Sequence, residues 1–217
     1  MFREISLYII NALIVAVIIL QLIHRKKLGP HIWLITAALA VTVLTEAVGT
    51  YYIKSGETNN HIVYNIGNGL IVFLLIFIYY WKIMNSRARK SIQLGFIGVF
   101  LLNYFLSVVL MEDFLTQFVI QSYFVQILLL LASICLYFYE VFNSDKVLSI
   151  RKYYSFWVSI SFSIIYFGLL PVVLIGTSGN ENLSKGLLFS ILLAVNLIGY
   201  SVLLMGIFYS KENTVDK

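Results

Sequence analysis

Charge is what this sequence has least of. Asp, Glu, Lys and Arg make up only 12% of its 217 residues, whereas a soluble domain needs about a quarter to cover its surface. That shortage excludes a separate water-exposed domain and makes lipid the solvent for most of the chain. The single cysteine, Cys135, excludes an internal disulfide and, lying in an apolar run, reads as a small packing residue. With only two prolines, Pro30 and Pro171, mostly regular helix is expected. Phosphate-binding glycine loops, a dinucleotide fingerprint and zinc spacings are also missing. His24, His31 and His61 fall at membrane edges and not at the i, i+4 spacing of a metal-binding helix. No cofactor, no metal and no nucleic-acid partner is therefore expected.

What the chain does have is long apolar runs. A helix crossing a bilayer needs roughly 20 such residues, and stretches of that kind lie at about 6–23, 32–53, 61–81, 92–111, 116–142, 155–176 and 186–209. They are continuously apolar, without the alternation of a β-barrel. The expected fold is an all-α membrane protein, a single seven-transmembrane-helix bundle over 1–217. The first run is followed by its basic cluster and lacks a small-residue cleavage site, so it reads as a retained helix.

The basic residues explain the net charge of +5 and orient the bundle. Arg25, Lys26, Lys27, Lys82, Arg87, Arg89, Lys90, Lys146, Arg151, Lys152, Lys211 and Lys217 fall on one side, and only Arg3, Lys54 and Lys185 on the other. The positive-inside rule then puts the N-terminus outside and the C-terminus in the cytoplasm of a bacterial inner membrane. Tyr51, Tyr52, Tyr79, Tyr80, Trp81, Tyr153, Tyr154 and Trp157 lie near span ends, where aromatic residues anchor a helix at the interface.

Polar side chains inside lipid are expensive and normally face a bundle interior or a cavity. Glu46, Asn65, Asn68, Asn103, Gln121, Gln126, Tyr166 and Asn196 all fall roughly 6–15 Å below the outer ends of their spans at 1.5 Å per residue. Tyr64, Asn65 and Asn68 are expected to share one helix face, as are Asn196 and Tyr200. Together these ten residues are the candidate ligand-binding site. Each amide has a plainer reading as a hydrogen bond between helices, contributing about 1 kcal/mol. Glu46 is the ionisable member; with no Lys or Arg at its depth it is expected to be neutral or paired. Glu140, near the cytoplasmic edge, is expected to pair with Lys146, Arg151 or Lys152.

Three stretches, LTEAVGTYY (44–52), NNHIVYNIGNGLIVFLL (59–75) and YYSFWVSISFSIIYFG (153–168), together resemble an uncharacterised group of seven-transmembrane-helix proteins of Bacteroidota. Such proteins look like stand-alone relatives of bacterial seven-helix sensor modules. At 67–73 the chain has GNGLIVF, where the resemblance leads one to expect a more acidic stretch. The resemblance implies sensing, and three functions follow in order. The first is a receptor-like or sensory protein whose outer polar pocket takes a small-molecule or lipid ligand and which acts through a cytoplasmic or membrane signalling partner. The second is an intramembrane enzyme on a lipid or isoprenoid with Glu46 as acid. The third is a small-solute carrier, for which Asn68 and Asn196 occupy comparable places but the proline hinges are absent.

Overall fold

The computed structural model describes residues 2–56, 59–177 and 185–211. Among them every regular element is helical: α1 (Phe2–Ile23), α2 (Arg25–Leu28), α3 (Ile32–Lys54), α4 (His61–Ile66), a π-helical segment Gly67–Val72, α5 (Phe73–Ile83), α6 (Arg87–Leu110), α7 (Ile120–Phe142), α8 (Tyr154–Thr177) and α9 (Lys185–Tyr209). Short 3-10 turns cover Glu112–Leu115 and Asp145–Lys152. Seven segments are long and apolar enough to cross a membrane, one of them running through α4, the π segment and α5. The triplet Asn182-Leu183-Ser184, which resembles a glycosylation acceptor, lies outside the described residues.

Three helix starts differ from expectation, the first being α1, which begins at Phe2 and not near 6. Helix α6 begins at Arg87, not near 92, because Arg, Ala and Lys are strong helix formers and carry the helix out past the apolar run. Helix α7 begins at Ile120, not 116, because the backbone of the preceding residues is bonded elsewhere, as described below.

The chain divides into two compact units. In the first, residues 1–33 and 141–217, α8 and α9 are packed closely. A Cβ on Gly206 would fall onto Cβ and Cγ of Trp157, so only glycine lets the two backbones approach there. Ser161 donates to the carbonyl of Gly199 at 2.7 Å, and Gln21 on α1 donates to the Tyr154 hydroxyl at 3.0 Å, which itself donates to Leu203 O at 3.4 Å. The Lys27 ammonium closes the end of α9, donating to Ile207 O at 2.9 Å and Phe208 O at 3.1 Å. A cation there satisfies carbonyls that a helix C-terminus leaves free.

The second unit, residues 34–140, has an aromatic centre: Phe77 and Phe100 lie 5.1 Å apart, and Phe73 meets Tyr123 edge-on at 5.4 Å. By contrast Leu94, Leu101, Leu102, Phe105 and Val109 of α6 are exposed. An uncovered apolar stripe of that length is what a lipid-facing helix presents. Cys135 is exposed as well and is not the small packing residue that its apolar surroundings suggest. Three of the supposed interfacial anchors, Tyr79, Tyr80 and Tyr154, are buried core residues. Depth along a helix places a ring near the interface, but packing decides whether it points to lipid or inward.

Glu140 has a partner other than those expected. Its Oε1 accepts from the Asn85 backbone N–H at 2.7 Å and its Oε2 lies 3.5 Å from Arg89 Nη1. The second distance is long for a hydrogen bond and is read as a charge contact. The early start of α6 is what puts Arg89 on a helix beside the end of α7.

Candidate functional site

Seven of the ten candidate residues, Glu46, Tyr64, Asn65, Asn68, Asn103, Gln121 and Gln126, belong to the second unit; Tyr166, Asn196 and Tyr200 belong to the first. In the first unit Tyr166 and Tyr200 are buried, Tyr166 edge-on to Phe162 at 6.0 Å. Asn196 donates to Leu192 O of its own helix at 2.8 Å.

The site in the second unit begins with the short connection between α3 and α4. It sets the two helices side by side, and the Tyr64 hydroxyl donates to Glu46 Oε2 at 2.9 Å. The carboxyl thus has a phenolic donor on the neighbouring helix. The adjacent residue, Asn65, turns about 100° away, as successive helical residues do. It is 4% exposed and binds the α6–α7 loop three times. Its Nδ2 donates to Phe114 O at 2.8 Å and to Gln117 O at 2.9 Å, and its Oδ1 accepts from Val119 N at 3.4 Å. These bonds hold 114–119 out of the helix and explain why α7 starts late. Asn59 also ties the loop down, donating to Leu115 O at 3.0 Å.

Tyr64, Asn65 and Asn68 therefore do not form the single face that 3.6-residue periodicity implies. Tyr64 points to α3 and Asn65 to the α6–α7 loop. Asn68 lies in the π segment, where the wider turn breaks the register. A Cβ on Gly67 would fall onto Thr45 Oγ1, so the π segment begins where α3 presses closest. π turns inside α-helices are frequent at functional sites, and here Asn68 Oδ1 is buried with no hydrogen-bond partner.

A third strand of contacts joins α6 to α7. Asn103 donates to Ser122 Oγ at 2.7 Å, and Gln126 donates to the same oxygen at 3.3 Å. Gln126 is 2% exposed; its Nε2 is engaged, but its Oε1 is buried and unpartnered. Gln126 is one of the residues lining a small, half-open cavity of about 10 Å³, with Asn65, Tyr104, Phe114, Phe118 and Tyr123 among the others. Such a volume holds roughly one water-sized particle. Gln121 is exposed at the start of α7. Sequence reading missed Ser122, Tyr104 and Tyr123. Ser122 was legible as the i, i+4 neighbour of Gln126; the rings were not, since aromatic residues are everywhere in the chain.

The arrangement offers a carboxyl–phenol pair and, at the α6–α7 loop end of the same unit, a small aromatic cavity with one unspent amide acceptor. No family model, curated protein or solved structure matches the chain.

Proposed function

We propose that this chain is a multi-pass protein of a bacterial inner membrane, N-terminus outside, acting as a receptor-like sensor through a separate signalling partner. The polar cluster at the α6–α7 loop end of the second unit is its binding site. The orientation rests on the loop charges, and the tilt toward sensing on the resemblance to stand-alone seven-helix sensor modules.

The observation that carries the site is Gln126 Oε1. A buried amide oxygen without a partner costs about 1–3 kcal/mol. Asn65, which lines the same cavity, has both its amide atoms bonded to the loop. Of the buried side-chain oxygens that lack a partner among the described residues, Gln126 Oε1 is the one whose residue lines this cavity, and polar groups held for function are commonly unfavourable for the fold.

The test is the thermal stability of Gln126→Leu in detergent. A site residue gives a variant as stable as the wild type or more stable, by up to about 2 kcal/mol, since the orphan oxygen is gone. A loss of more than about 1 kcal/mol would make Gln126 interhelical glue and remove the site.

A further inference from the structure

We propose that the cavity under the α6–α7 loop binds a small ammonium-type cation, with NH4+ itself the size that fits. The inference rests on the reading of this cluster as a binding site and names the chemistry of its ligand.

Size comes first. A cavity of about 10 Å³ admits one particle of water's dimensions, and the ammonium ion is of that size while its alkylated forms are larger. The walls come second. Tyr104 and Phe114 meet edge-to-face with centroids 5.7 Å apart, and Phe118 and Tyr123 do so at 5.2 Å. Four rings line this one small space, and aromatic rings attract a cation. The acceptors come third. Gln126 Oε1 has no partner. Asn65 Oδ1 receives one N–H, and a carbonyl-type oxygen has capacity for a second. Ammonium can donate N–H bonds to both oxygens and turn its remaining hydrogens to rings. A single water could fill the same space, so the experiment sets ammonium against water and against other ions.

The whole chain in detergent near neutral pH is heated in ammonium, potassium or sodium chloride at matched ionic strength, and in sodium formate. At ammonium about tenfold above its dissociation constant, the midpoint should rise by about 3 °C or more over potassium. The rise should saturate, be smaller for methylammonium, and vanish in Gln126→Leu and in Tyr104→Leu. Equal midpoints in ammonium and potassium would overturn the proposal. So would a rise that survives both substitutions, or stabilisation by formate in place of ammonium. Failure with ammonium while Gln126→Leu stays as stable as the wild type sinks the cation alone. A destabilised Gln126→Leu sinks the site beneath it.

Discussion

Replacing Asn65 with leucine should cost about 3 kcal/mol, one of the two largest single-residue losses in the protein. The side chain makes three hydrogen bonds to the α6–α7 loop, each contributing about 1 kcal/mol net. Leucine matches its size but leaves Phe114 O, Gln117 O and Val119 N to find other partners. For a chain of this length that is a fall of roughly 6–12 °C in the melting midpoint. Asn65→Asp should be no milder, because an ionised carboxyl would face the carbonyls of Phe114 and Gln117 and a neutral one can donate to only one of them. Thermal unfolding in detergent measures both variants, and a loss below about 1 kcal/mol for Asn65→Leu would mean that the loop is held by something else. The contrast with Gln126→Leu separates two amides that look alike in sequence, one a strut and the other spare.

Gly206→Leu should be comparably severe for a different reason. The added Cβ would meet Cβ and Cγ of Trp157 and lie 3.0 Å from Tyr154 Cε2. Those Trp157 atoms are the stem of the side chain and cannot swing aside, so α8 and α9 must part. Overpacking of this kind costs about 1–3 kcal/mol and sometimes more. Here the separation would also break the Gln21–Tyr154–Leu203 relay. Gly206→Ala should lose about 2 kcal/mol and Gly206→Leu more, with the stacking of Trp157 on Tyr209 disturbed. A melting midpoint unchanged by alanine would show that the helices can slide apart freely.

Apolar runs place the seven spans because each must be long enough to cross lipid, and that constraint is written in consecutive residues. The ends are less legible. RARK reads as a polar loop, yet its helix propensity extends α6, and TQFV reads as apolar helix although Asn65, far back in sequence, claims its backbone. The Glu46–Tyr64 contact was half legible, since a short loop makes α3 and α4 neighbours. The π segment at GNGLIV was not, because it depends on where Thr45 meets Gly67 and not on local pattern. The polar residues were found by depth, but depth does not say whether an amide is satisfied. Asn196, spent on its own helix, and Gln126, left over, differ only in three dimensions.

The central claim is that the polar site of the second unit opens to the outside. The α3–α4 connection and the α6–α7 loop lie at one end of that unit, joined by Asn59, whereas Ser86 precedes α6 at its other end. In cells carrying Cys135→Ser, an impermeant thiol reagent added from outside should label Ser55→Cys and leave Ser86→Cys unlabelled until the membrane is opened. Labelling of Ser86→Cys in intact cells, with Ser55→Cys protected, would turn the molecule over and put the site in the cytoplasm.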